Sequence, residues 1–184
     1  MENAIQKALE VATRLGTSAL ASASATTAAA GDAAGQQLAT SPADLVIGSD
    51  TVVVHNDRIL EKPADAAGAL AMLASLSGTR HKVLSGVALV LPAAAGSSEE
   101  HCVAKAWCST TFVQFDDIST ADIQAYIETG EPFDKAGGYG IQSMGGLFVQ
   151  GIEGDYQNVK GFPLFDFGKQ LASLAKEHWE SNKE

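Results

Sequence analysis

The chain has 184 residues, of which 46% are hydrophobic and 18% charged, and its formal net charge is −10. That length and balance suit a single folded domain over residues 1–184 and argue against a disordered chain. With 12 Lys and Arg against 22 Asp and Glu, and no run of basic residues, a nucleic-acid backbone is not the expected partner. An acidic protein that binds a small polyphosphate needs a few well-placed lysines and a divalent cation to offset repulsion.

No apolar run approaches the ~20 residues of a membrane span. The N-terminus has no apolar signal core, and Glu2 and Glu10 argue against a transit peptide. Cys102 and Cys108 fall in one predicted strand, too far apart along it for a disulfide, so free thiols in a reducing, cytoplasmic compartment are expected.

In chain order, residues 2–15 have the three-and-four spacing of an amphipathic helix (Ile5, Ala8, Leu9, Ala12, Leu15). Residues 17–43 are Ala/Ser/Thr-rich with few large apolar side chains. Such a segment cannot bury enough surface to offset its ordering entropy, and it reads as a mobile connection. Two strands, Leu45–Gly48 and Thr51–Val54, are predicted to flank Ser49-Asp50, with a hairpin turn at Asn56-Asp57. This places Asp50 and Lys62 at neighbouring strand tips, a usual position for a phosphate or metal site in an α/β sheet. A turn-capping carboxylate and a solvated lysine are the alternative.

A helix is expected over 65–76 with Leu70, Leu73 and Leu76 inward and Gly78 as its stop. Val83–Leu91 is too apolar to have a solvated face and should be a central strand. Pro92 to Glu100 reads as a loop. Cys102–Phe115 alternates, placing Val103, Trp107, Thr111, Val113 and Phe115 on one face. Ser119 caps the next helix, with Asp122 at its third position and Ile118 and Ile123 as a staple; Ile123, Tyr126 and Ile127 face inward and Gly130 ends it. A glycine-rich stretch, 134–146, precedes a strand at Leu147–Ile152, a polar loop at 153–158, and a last helix with Leu164, Phe167, Leu171 and Leu174 inward. Alternating strands and helices give an α/β class.

The glycines at 137, 138 and 140 suit either a close approach to an anion through successive amides or a tight turn beside a solvated Asp134–Lys135 pair. The spacing is neither a Walker A loop nor a dinucleotide fingerprint. Gln142 carries the donors and acceptor needed to read a base edge. His81, at the start of a buried strand, reads as a structural histidine. No zinc spacing and no Ser-His-Asp order is present.

Taken together, Val46-Ile47-Gly48-Ser49-Asp50-Thr51-Val52-Val53, Ile59-Leu60-Glu61-Lys62-Pro63, Gly130-Glu131-Pro132, the run from Asp134 to Gln142, and Glu153-Gly154-Asp155-Tyr156 with Asn158-Val159 and Gly161-Phe162-Pro163-Leu164 resemble the Maf family of nucleoside triphosphate pyrophosphatases. The resemblance runs in order from about Asp44 to Leu174. It implies a Maf/Ham1-like (ITPase-like) α/β fold, a mixed twisted sheet flanked by helices. It also implies hydrolysis of a nucleoside triphosphate to monophosphate and pyrophosphate with Mg²⁺ or Mn²⁺, and a homodimer. Asp50 matches the family's proton acceptor and is a possible metal ligand. Thr51 and Gln142 match positions tied to substrate choice and resemble the dTTP/UTP branch rather than the 7-methyl-GTP branch, which stays an alternative. Lys62 and Lys135 fall in matching motifs and suit phosphate. The family's first strand and its Ala-Ser-x-Ser-Pro-Arg-Arg type motif, whose arginine grips phosphate, have no counterpart here. The expectation is a sheet lacking that strand, in either a truncated chain or a non-catalytic nucleotide-binding or regulatory paralogue.

Overall fold

A computed structural model of the chain describes residues 2, 3, 5, 6, 45–91 and 102–181. Residues 2, 3, 5 and 6 are helical. The rest of the helix expected over 2–15, the connection at 17–43 and the loop from Pro92 to Glu100 lie outside the described residues.

Five strands, β1 (Val46–His55), β2 (Arg58–Leu60), β3 (Arg80–Leu91), β4 (Cys102–Phe115) and β5 (Val149–Glu153), form one sheet in the order β2-β1-β3-β4-β5. All four pairings are antiparallel. The helices are α1 (Ala66–Leu76), α2 (Thr120–Glu128), the one-turn α3 (Tyr156–Val159) and α4 (Leu164–Ser181). β3 is the middle strand, as its apolar run requires, and Ser85 through Val90 are buried without a break.

Local chemistry accounts for most boundaries. Asn56 and Asp57 have φ of 48° and 58°, the left-handed pair that a tight hairpin needs and that Asn and Asp tolerate. Asp65 caps α1, its Oδ1 accepting from the Gly68 amide at 2.7 Å. The helix stops at Gly78, where φ is +68° and a Cβ would meet Asp117 Oδ1 at 2.5 Å. Ser119 caps α2 through the Asp122 amide at 3.1 Å.

Four expectations need correction. The stretch from Val46 to His55 is one continuous strand, so Asp50 sits at its centre, opposite Gly86, and not at a strand tip. Nothing in Ser49-Asp50 breaks the strand, because each residue has a partner on β3. In β4, Lys105 pairs with Leu89 but Val103 pairs with Val90. This bulge turns Val103 to the face opposite Trp107, Thr111, Val113 and Phe115. Leu147 and Phe148 belong to a 3-10 turn, Met144–Phe148, and the strand begins only at Val149. Leu164 is 53% exposed; Phe167, Leu171 and Leu174 are half-buried.

The core lies between one sheet face and the helices. Val53, Val83 and Val113 meet Leu73 and Leu76 of α1, Ile123 and Tyr126 of α2, and the aromatic group Phe115, Tyr139 and Phe148. Phe115 and Tyr139 pack edge-on at 4.7 Å. Removing a buried ring of this kind costs about 3–5 kcal/mol.

His81 sits within this group, 2% exposed, with Nε2 2.8 Å from the Tyr139 hydroxyl. Burial, and then the charge of His55, push its pKa down from 6.5 to about 4. The folded protein therefore holds His81 neutral where the unfolded chain would protonate it. That stability is complete above pH 6.5 and is lost as the pH falls toward 4, by about 3 kcal/mol at 1.36 kcal/mol per pH unit. Urea midpoints at pH 7 and 4.5 check this: the midpoint should fall more steeply in the wild type than in His81→Leu, and parallel pH profiles would contradict it.

Candidate functional site

β1 carries two of the candidate residues side by side on opposite faces. Asp50 lies in the row Asp50, Gly86, Cys108 across β1, β3 and β4. Its Oδ2 accepts from Asn3 Nδ2 at 3.3 Å. Thr51 lies in the row Thr51, Ser85, Ser109 on the helix-covered face. Its hydroxyl is 2.8 Å from Ser85 Oγ and 3.1 Å from the Gly161 carbonyl. Thr51 is thus half-buried and tied into the fold, while Gln142 and Lys62 are exposed.

The segment after β2 brings Lys62 and the 134–135 pair together. Lys135 Nζ donates to Asp134 Oδ1 at 2.6 Å. This hydrogen bond holds the Asp134 carboxyl below its ordinary pKa, with smaller contributions from the charges of Lys135 and Lys62. Asp134 thus pairs with Lys135 and feels the more distant charge of Lys62. The Lys135 stem lies over Gly140, where a Cβ would meet its Cε at 2.8 Å.

The glycine run resolves to the tight-turn alternative. The Gly137 amide donates to Glu61 O at 3.2 Å, Gly138 to Lys135 O at 3.0 Å and Gly140 to the Tyr126 hydroxyl at 3.3 Å. Amides spent on internal acceptors cannot also form an anion nest. Gly137 is required for packing: at φ +74° it presses on Val53, whose side chain would lie 2.8 Å from a Cβ there.

Two residues not singled out for a role hold the site in place. The Glu131 carboxylate accepts from the Tyr126 hydroxyl at 2.8 Å, from Ser143 Oγ, and from the Met144 and Gly145 amides at 3.3 and 3.4 Å. Three of these donors directly follow Gln142, and the Tyr126 hydroxyl also accepts from the Gly140 amide before it, so the loop is fixed. Asn158, fully buried, anchors the segment that carries Gly161. The Gly-Glu-Pro and Asp-Tyr-x-Asn-Val runs held both residues, but sequence spacing does not reveal a carboxylate with four donors or a carboxamide with none of its surface in water.

Burial works to raise the Glu131 pKa, but the hydrogen bonds from Ser143, Tyr126, Gly145 and Met144 together outweigh it and the pKa is lowered. Its stabilisation is therefore present above the ordinary glutamate range and is lost as the pH falls through the depressed value. Glu131→Gln should cost about 1–2 kcal/mol after solvent screening and speed amide exchange at Met144 and Gly145. Unchanged exchange at both positions would contradict the clamp.

Residues 1–174 match the family model of Maf-like proteins. A human protein named probable bifunctional dTTP/UTP pyrophosphatase/methyltransferase protein is 42% identical over 177 residues, covering 95% of this chain and 25% of that protein. A dTTP/UTP pyrophosphatase of Clostridium perfringens (strain ATCC 13124) is 46% identical over 127 residues, 69% of this chain and 62% of its own length. One from Vibrio parahaemolyticus is 47% identical over 133 residues, 72% of this chain and 65% of its own. The chain thus spans less than two thirds of the length of each of these three relatives. The match over residues 1–174, with the antiparallel sheet and the glycine-rich loop inside it, leaves one conclusion about kinship: the chain belongs to the Maf-like protein family.

Proposed function

We propose that this chain hydrolyses nucleoside triphosphates, dTTP and UTP foremost, to the monophosphate and pyrophosphate. The observation that carries the reading is the 46–47% identity to proteins named dTTP/UTP pyrophosphatase. The arrangement of the side chains supports it.

Asp50 takes the role of proton acceptor for the attacking water. A carboxylate has the geometry and basicity for that task once it is held in place. Lys135, paired with Asp134, and Lys62 nearby take the charge that develops on the leaving pyrophosphate. Charges fixed before the reaction stabilise such a leaving group without reorganisation. Gln142, on the loop clamped by Glu131, reads the base, and Thr51 sets the substrate choice from beneath.

Among the described residues, no three His, Cys, Asp or Glu side chains cluster as a protein cage for a metal would require. Mg²⁺ needs no such cage, since one or two carboxylates and the substrate phosphates usually hold it. Asp50, an oxygen donor half-buried at the centre of β1, fits that mode and would be its protein ligand. When bound, the cation neutralises phosphate charge that a protein of net charge −10 would otherwise repel.

Among the described residues no helix is long and apolar enough to cross a membrane. Cys102 and Cys108 are free thiols, which suits the reducing setting of the cytoplasm.

The test is product release from dTTP, UTP, CTP, ATP and 7-methyl-GTP with Mg²⁺ or Mn²⁺. Monophosphate should form fastest from dTTP and UTP, and Asp50→Asn should lower kcat by roughly 10²–10⁴-fold. Turnover of 7-methyl-GTP alone would move the chain to the other branch. Nucleotide binding with no monophosphate from any substrate would make it a non-catalytic binding protein and overturn the proposal.

A further inference from the structure

Beneath Thr51 lies a chain of buried hydroxyls and one carboxamide. Asn158 Nδ2 donates to the Val83 carbonyl and to Thr111 Oγ1, both at 3.1 Å. The carbonyl of Val83 can only accept, so the orientation of the amide is fixed. Thr111 Oγ1 donates to Asp155 O at 2.9 Å and accepts from the Asp155 amide at 3.0 Å. These contacts hold the backbone from Asp155 to Asn158 against β3 and β4. The Asn158 carbonyl in turn lies 3.2 Å from Ser85 Oγ, which lies 2.8 Å from Thr51 Oγ1. Thr51 Oγ1 lies 3.1 Å from the Gly161 carbonyl. Ser85 has no exposed surface.

Three short contacts, Asn158 O to Ser85, Ser85 to Thr51, and Thr51 to Gly161 O, are thus served by two hydroxyls. Each hydroxyl has one proton. Only two of the three contacts can hold a proton at any moment. In one arrangement Ser85 donates to Thr51 and Thr51 to Gly161 O, leaving Asn158 O without the serine proton. In a second both hydroxyls donate to carbonyls, Ser85 to Asn158 O and Thr51 to Gly161 O. In the third Thr51 donates to Ser85 and Ser85 to Asn158 O, and the Gly161 carbonyl is left open to a donor from outside. Gly161 is half-buried and has no side chain to cover that carbonyl. Its φ of +117° is one that few other residues adopt.

Resting on the pyrophosphatase reading, we propose that Ser85 and Asn158 are positioning residues for base selection. Acting through Thr51, they hold the Gly161 carbonyl as an acceptor for an N–H of the substrate base. Uracil and thymine carry a proton on N3 and supply that donor. Cytosine has a lone pair at N3 and would meet the carbonyl lone pair against lone pair. A site built to pair a donor rejects a base lacking it, because its own polar group is then left unpaired. Removing the Ser85 hydroxyl deprives Thr51 of its alternative acceptor, and Thr51 then holds one of the two lone pairs of Gly161 O in every arrangement, which weakens that oxygen as an acceptor for the base.

The experiment compares kcat/KM for UTP and CTP in the wild type, Ser85→Ala, Thr51→Val and the double variant, each checked for folding by thermal melt. Ser85→Ala should lower the UTP-to-CTP ratio on the order of tenfold. In the Thr51→Val background the same change should alter the ratio less than about twofold, because a residue acting only through Thr51 has nothing left to act on. Ser85→Cys, with a weak thiol donor in nearly the same volume, should lower the ratio in the same direction and serves if Ser85→Ala fails to fold. A wild type that prefers UTP, with variants that keep its ratio, would overturn the positioning role alone. An equal effect of Ser85→Ala with and without Thr51 would do the same. A wild type that hydrolyses neither nucleotide overturns the pyrophosphatase reading and this inference together.

Discussion

The constraint on which the rest depends is the burial of a carboxamide, Asn158, against the centre of the sheet. A polar group removed from water must find partners inside or destabilise the fold by about 1–3 kcal/mol. The Asn158 Nδ2 finds them on β3 and β4 at once, through Val83 O and Thr111 Oγ1, while its Oδ1 accepts no hydrogen bond among the described residues. In doing so it pins a short helix, capped by Asp155 through the Gln157 amide at 2.8 Å, across the paired strands β3 and β4. The sheet face that begins with Val53, Val83 and Val113 therefore changes character along its length. It becomes a layer of hydroxyls, Thr51, Ser85, Ser109 and Thr111, held by Asn158 and by Asp166 of α4. Apolar packing positions the helices, and the polar layer positions the residues assigned to substrate choice.

Charge is organised with similar economy in a protein of net charge −10. Lys135 pairs with Asp134, and Lys62 lies near enough for its charge to favour the same carboxylate. A half-buried carboxylate, Glu131, does the opposite task. It gathers four donors, three of them just after Gln142, and so fixes the loop that carries it. Fixing a loop in this way lowers the ordering cost that binding would otherwise incur.

Local rules reached much of this fold from the sequence. Asn56-Asp57 has the chemistry of a left-handed turn and makes one; Asp65 and Ser119 are capping residues and cap; the unbroken apolar run of β3 is central. His81 is structural, as its place at the head of a buried strand suggests. What was not legible depends on partners distant in sequence. Ser49-Asp50 looks like a break between strands, yet β3 pairs it throughout. The bulge beside Val103 adds a single residue to the β4 pairing and leaves no mark on the alternation near it. The glycines at 137, 138 and 140 suit an anion nest by composition, and only the tertiary fold shows their amides turned to Glu61, Lys135 and Tyr126. For the site, the motifs located the candidate residues; the opposite facing of Asp50 and Thr51 required the strand register.

The measurement that bears most directly on this account is a crystal structure with a non-hydrolysable α,β-imido analogue of dUTP. The account predicts phosphates against Lys62 and Lys135, Asp50 at the α-phosphate, and the base N3 within hydrogen-bond distance of the Gly161 carbonyl. A nucleotide bound elsewhere, such as the acidic groove of Asp116, Asp117 and Asp122 beside α2, or a base turned away from Gly161, would contradict it.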